Sequence, residues 1–237
     1  IKETDQLVDR EFRFHQAPRE WDAKKVLPMS IQFREEGGAH FVGRFDYQGQ
    51  ERNGATVIDR CALRYNMDAK VGMRGANFQE VTVEGTCRRE SGSSAEIGVA
   101  VGNPDAKAGV GLKGVWARLH HRQGCLAVKL DGGKSDLFKA TRGLEYSPFD
   151  KVPWPQDGKF TIEIRVLDRQ KGTFELLFNG ANVFQAQLGQ ATETCSAFGS
   201  GGAGRNLALA IWVEGNDGDD FKDIYLHKVT LTLSKAK

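Results

Sequence analysis

The chain has 237 residues, 40% of them apolar and 27% charged, with 28 glycines, 6 prolines and a formal net charge of +2. This is the make-up of an ordinary globular protein with enough apolar residues to fill one large core, and it excludes a disordered chain, a collagen and a disulfide-dense miniature. Thirty-three Lys and Arg stand against 31 Asp and Glu, and no basic block is denser than Arg88-Arg89 or Lys24-Lys25, so a nucleic-acid partner, which needs clustered positive charge, is not expected.

Residue 1 is Ile, with no basic start followed by an apolar run. The chain therefore reads as a mature product or an excised part of a larger protein, with an extracytoplasmic or secreted address favoured. The segment at 17–25 resists assignment and could be a short helix. From Ile31 onward the pattern is period two, broken by Gly, Asn and Asp every ten residues or so, which is the signature of antiparallel strands and turns. The segments are 31–34, 40–47, 56–65, 81–88, 95–101, 115–121, 126–130, 160–167, 173–178, 207–213 and 224–233, at least eleven strands.

Asn53-Gly54, Asp131-Gly132-Gly133, Asp157-Gly158 and Asn179-Gly180 are turn signals, because these residues tolerate positive φ. The arms 160–167 and 173–178 alternate most cleanly and predict a hairpin. Residues 136–155 form a long Pro-containing loop with Phe138, Tyr146, Phe149 and Trp154, and loops of that length commonly cover or form a site. Residues 199–206 are nearly all Gly, Ser and Ala and read as a flexible connection. The longest apolar run, 207–213, falls far short of the roughly 20 residues of a membrane-crossing helix. Together these features predict an all-β, two-sheet antiparallel sandwich in a single domain over 1–237.

Cys61, Cys87, Cys125 and Cys195 stand far apart with no CxxC pair, which removes the usual zinc and thioredoxin patterns. Cys61 and Cys87 share the phase of apolar neighbours, which favours buried free thiols over a disulfide.

Three motifs carry a family resemblance. Phe160-Thr-Ile-Glu-Ile-Arg-Val, then Gly172-Thr-Phe-Glu-Leu-Leu-Phe-Asn-Gly, then Phe221-Lys-Asp-Ile-Tyr-Leu-His-Lys-Val resemble the second half of the concanavalin A-like lectin/glucanase jelly rolls. Phe78-Gln-Glu-Val-Thr-Val-Glu-Gly with Gly92-Ser-Ser-Ala-Glu-Ile-Gly is similar to the 3-keto-disaccharide hydrolase-like branch of that superfamily. The resemblance spans 77–237, and residues 1–70 contribute strands that match no named pattern. It implies a jelly-roll sandwich and a carbohydrate ligand. The glucanases' catalytic strand E-(I/L)-D-x-x-E is broken here, because Glu163-Ile-Arg-Val-Leu-Asp168 has Arg165 in the place of the middle acid.

Alternation places Val115, Ala117 and Leu119 on one face of a strand and Trp116, Arg118 and His120 on the other. An indole beside hydrogen-bonding groups suits a sugar ring, which stacks its C–H face and pairs its hydroxyls. Equally, Trp116 could be covered by the 136–155 loop as a second small core. Trp212 and Glu214 lie opposite Leu209, Ile211 and Val213 on a second strand, and if both strands share a sheet the two rows line one groove, with Trp154 as a lid. No strand face pairs two acids as a glycosidase requires; Glu163 and Arg165 read as a solvated charge row.

The stretch Glu214-Gly-Asn-Asp-Gly-Asp-Asp220 lacks the EF-hand spacing. The resemblance implies a structural calcium there on Asp217, Asp219 and Asp220, although an acidic surface turn is the favoured alternative. His120 and His121 point to opposite faces and cannot share one metal. No G-x-S-x-G elbow or phosphate-cradling loop is present, and no cofactor is required. The resulting expectation is a non-catalytic, lectin-like module that binds carbohydrate or glycan through Trp116, Arg118, His120, Trp154, Trp212 and Glu214, with other domains of a larger protein as possible partners. The alternatives are a glycoside hydrolase of the 3-keto-disaccharide hydrolase or glucanase type, and a protein-interaction or assembly domain.

Overall fold

A computed structural model describes residues 6–25, 30–45, 61–66, 77–88, 96–104, 112–120, 125–131, 155–168, 173–187, 208–215 and 218–235. Every regular element among them is a strand: β1 (Gln6–Arg13), β2 (Asp22–Lys25), β3 (Ser30–Arg34), β4 (Gly38–Arg44), β5 (Cys61–Asn66), β6 (Asn77–Cys87), β7 (Glu96–Pro104), β8 (Leu112–His120), β9 (Cys125–Asp131), β10 (Lys159–Asp168), β11 (Thr173–Phe178), β12 (Ala181–Gln187), β13 (Ala208–Glu214) and β14 (Asp220–Lys235). They form two antiparallel sheets. Sheet A runs β12-β11-β10-β6-β14-β4-β3, with β1 also paired to β14, and sheet B runs β2-β5-β13-β7-β8-β9.

Sheet A follows the period-two rule expected when one face is packed and the other solvated. Phe160, Ile162, Ile164 and Val166 of β10 and Phe174, Leu176 and Phe178 of β11 are buried, and the residues between them are half-buried. The predicted hairpin forms with Ile162 opposite Phe178 and Ile164 opposite Leu176. Asn179 (φ 49°) and Gly180 (φ 79°) then turn the chain into β12, two consecutive positive values that match the right-handed twist of the flanking strands. The long strand β14 pairs β6 along one edge and β4 and β1 in succession along the other.

The two inner faces meet in one core. Phe12 of sheet A reaches Tyr65 of sheet B (ring centroids 5.0 Å apart), and Trp21 packs against Phe12, Phe14 and Tyr65 at 5.3–5.4 Å. This anchor explains why 17–25 is not a helix. The Trp21 amide donates to the Pro18 carbonyl in a turn, and Asp22–Lys25 then pair as β2 with β5, so burial of one indole and edge pairing override local propensity. Cys87 is buried, as its phase predicts.

Candidate functional site

The face of sheet B that looks away from sheet A is identified by its opposite. Tyr65 touches the sheet A ring of Phe12, and an added Cβ at Gly215 would strike Phe45, so Leu63 and Tyr65 of β5 and Leu209, Ile211 and Val213 of β13 face inward. Their alternates face outward. The ladder aligns those outward positions in rows across the strands: Lys24, Ala62, Trp212, Gly98, Arg118 and Ala127 form one row. Asp22, Arg64, Ala210, Ala100, Trp116 and Lys129 form the next. Strands β8 and β13 therefore do lie in one sheet, separated only by β7, and the two rows read from the sequence fall on a single outer face.

One residue of that set has a different role. Trp212 is 0% exposed, so it cannot serve as the open sugar platform expected of it. Its six-membered ring lies over Gly98 of the neighbouring strand, where an added Cβ would come within 2.3–2.6 Å of three ring atoms. The glycine is thus what lets the indole lie down on the sheet. Ala208, Ala210 and Ala100 beside it are buried as well, so the centre of this outer face is a floor of small residues and one flat indole.

The ladder also reveals a pair that inspection of single strands missed. Glu214 of β13 stands directly opposite Glu96 of β7. Directly opposed residues have Cβ atoms about 4.5–5.5 Å apart, and like charges in that position destabilise a sheet. The signal was recoverable only through the register, because the two acids lie far apart in sequence.

The outer face of sheet A holds a contrasting cluster. The Arg165 guanidinium donates to Glu80 (2.7 Å), Glu175 (2.9 Å) and Glu163 (3.3 Å), and Asn182 donates to the other oxygen of Glu175 at 2.6 Å. The hydrogen bond to Glu80 is the largest influence raising the Arg165 pKa, opposed in part by burial. This is the charge row read from Glu163 and Arg165, tied into a network across four strands, β6, β10, β11 and β12. Farther along the same face, the His40 ring stacks on Tyr225 (4.3 Å, 7°), its Nε2–H donates to the Lys222 carbonyl and its buried Nδ1 has no partner. His227 donates from Nδ1 to the Gly37 carbonyl and accepts at Nε2 from the Thr86 hydroxyl, each at 2.8 Å.

The two-sheet architecture has solved counterparts. The chain is similar to the carbohydrate recognition domain of Emp47p, with 11% identity over 93% of this chain and 91% of that one at a TM-score of 0.51. A legume lectin-like domain from Entamoeba histolytica shares 13% identity over 93% and 94% at 0.50. A laminarinase from Flavobacterium sp. UMI-01 shares 11% over 95% and 99% at 0.54. The fold is a concanavalin A-like jelly roll. At such identities the likeness concerns architecture alone, since one fold hosts many activities. By sequence the jelly roll matches no protein-family profile and no curated protein.

Of the remaining expected site residues, Trp116, Arg118, His120 and Glu214 hold the strand positions given above. Trp154 and the 136–155 loop lie outside the described residues apart from Pro155. Asp217 is likewise outside them. Asp219 accepts the Phe45 amide through its carbonyl, and Asp220 stands opposite Arg44 at the start of β14. Among the described residues, no three His, Cys, Asp or Glu side chains are grouped to hold a metal, and no helix is long and apolar enough to cross a membrane.

Proposed function

We propose that this jelly roll binds carbohydrate, without transforming it, at the β8 side of the outer face of sheet B, beside the buried centre. The observation supporting this reading is the ladder that aligns β8 with β13 and so gathers Trp116, Arg118, His120 and Glu214 on one face. In this reading Trp116 is the stacking ring and its polar neighbours pair sugar hydroxyls. Trp212 supports the floor. A glycan array followed by titration calorimetry tests it. Binding that Trp116→Ala abolishes with the melting temperature unchanged is the expected result, and a protein that binds no glycan overturns the reading.

The opposed pair Glu96 and Glu214 favours one second reading, glycoside hydrolysis. A retaining glycosidase needs two carboxyl groups about 5–5.5 Å apart, and the register sets two acidic positions directly opposite each other on neighbouring strands. Release of reducing ends from a panel of glycosides, lost in Glu214→Gln, would promote this reading over simple binding.

A further inference from the structure

A strand at the end of a sheet leaves the N–H and C=O groups of every second residue without a ladder partner. Among the described residues the end strands are β12 and β3 in sheet A and β2 and β9 in sheet B, and β1 is paired on one side only. Four of these five carry charge: Asp9, Arg10, Glu11 and Arg13 in β1, Asp22, Lys24 and Lys25 in β2, Arg34 in β3, and Lys129 and Asp131 in β9. Charge on an edge resists a further strand, which would have to desolvate it or meet it with a like charge. Strand β12, Ala181-Asn-Val-Phe-Gln-Ala-Gln187, has no charge, no Pro and no Gly. Its one irregularity is an extra residue at Val183, where the register with β11 shifts between Leu176 and Leu177. A bulge bends its strand, so the regular run left for pairing is 184–187.

We infer that β12 pairs antiparallel with β12 of a second copy of this chain, so that sheet A runs on from one copy into the other. The composition of the strand selects this occupant. Antiparallel pairing of a strand with itself is isologous, and β12 sets no like charges opposite each other in any register. A two-fold axis normal to the sheet keeps the core faces of the two copies on one side, which requires the numbers of opposed residues to sum to an even value. Centring on Gln185 meets this and keeps the flanking pairs, 184 with 186 and 183 with 187, inside the strand. Gln185 then stands opposite its own copy, on the row of Glu175, and Phe184, on the row of buried Leu176, stands opposite Ala186.

Charge on the other four strands stops growth at two copies, which gives a closed dimer and not a filament. The same axis fixes how the copies face. Sheet B lies on one side of the shared sheet in both, so both outer faces of sheet B look in the same direction. On the premise that this face binds carbohydrate, the dimer presents two sites to one polymer, and the second binding event becomes intramolecular.

The test is analytical sedimentation of the whole chain from about 1 to about 100 μM. The expected result is a species of twice the chain mass that dissociates on dilution. Gln185→Lys and Gln185→Glu should each weaken the dimer at least about tenfold, because a like pair then meets at the axis, and mixing the two variants should restore it. Gln32→Lys, at an exposed position of β3, should leave it unchanged. Hydrogen exchange keeps the test decisive if a variant fails to fold, since the β12 amides of the unaltered chain should gain protection as concentration rises. A monomer throughout the range, a dimer indifferent to both charges, or β12 amides whose exchange ignores concentration overturns the inference; a mixture that does not re-form the dimer overturns the Gln185 centre. None of these measurements uses a glycan, so a chain that dimerises and binds no glycan overturns the carbohydrate reading alone. Where a glycan binds, the unaltered chain should hold its polymer at least about tenfold more tightly than Gln185→Lys does, and equal affinity overturns the common facing of the two sites.

Discussion

Strands β10 and β13 occupy comparable interior places in the two sheets and are treated differently by their surroundings. Along β10, buried Phe160, Ile162, Ile164 and Val166 alternate with Thr161, Glu163 and Arg165, which keep contact with solvent. Along β13, every position from Ala208 to Val213 is buried. A strand with one wet face needs polar alternates; a strand covered on both faces does not, and reads as a continuous apolar run. The difference teaches that the outer face of sheet A is an ordinary solvated surface, while the outer face of sheet B is built around a dry centre.

Substitutions can break that contrast, and the largest effect is expected at Trp212. Trp212→Ala should lower stability by about 3–5 kcal/mol, as for other buried aromatic truncations, read by chemical denaturation; a cost below about 1 kcal/mol would mean the centre of sheet B is wet. Gly98→Ala should come next at about 3 kcal/mol, the upper end for overpacking, because the new methyl would meet the Trp212 ring.

The joint between the sheets gives a pH-dependent effect. Burial, followed by the nearby Glu20 charge, pushes the Tyr65 pKa from 10.0 to about 12. The folded state thus favours the neutral phenol. Its contribution is fully present below pH 10 and is lost as pH rises toward 12, by about 2 kcal/mol. Denaturation between pH 9 and 12 should show that decline, and Tyr65→Phe should flatten it. Smallest of all, Arg165→Ala on the solvated face of sheet A should cost about 1 kcal/mol, and less in high salt, because its partners are ion pairs near water.

The fold was legible wherever burial was one-sided. Each of the eleven segments read from alternation overlaps an observed strand, whereas β1, β2 and β12 went unread. All three lie at sheet edges or ends of pairing: β1 reads Gln-Leu-Val-Asp-Arg-Glu-Phe-Arg and β2 Asp-Ala-Lys-Lys. In β1 and β2 charge of the kind that discourages further edge pairing erases the apolar period, whereas β12 carries none. The site was legible in part. Period two assigned Trp116, Arg118, His120, Trp212 and Glu214 to a common side of their strands, and the ladder joined them. It could not show that the side occupied by Trp212 is covered, although the uninterrupted run at 207–213 carried that sign. Nor could any local pattern bring Glu96 opposite Glu214, since only the pairing of β7 with β13 does so.

The register that places Gln6 opposite Lys235 and Arg13 opposite Lys228 has a bearing on biosynthesis. Strand β1 leaves the ribosome long before β14, its partner among the described strands, so this ribbon of sheet A stays open until translation has passed residue 235. Pairings that distant in sequence close slowly, and during the wait the apolar side of β1, with Phe12, is available to wrong neighbours. Chaperone dependence during synthesis, relieved in a circular permutant that makes β14 and β1 successive, is the behaviour this arrangement dictates.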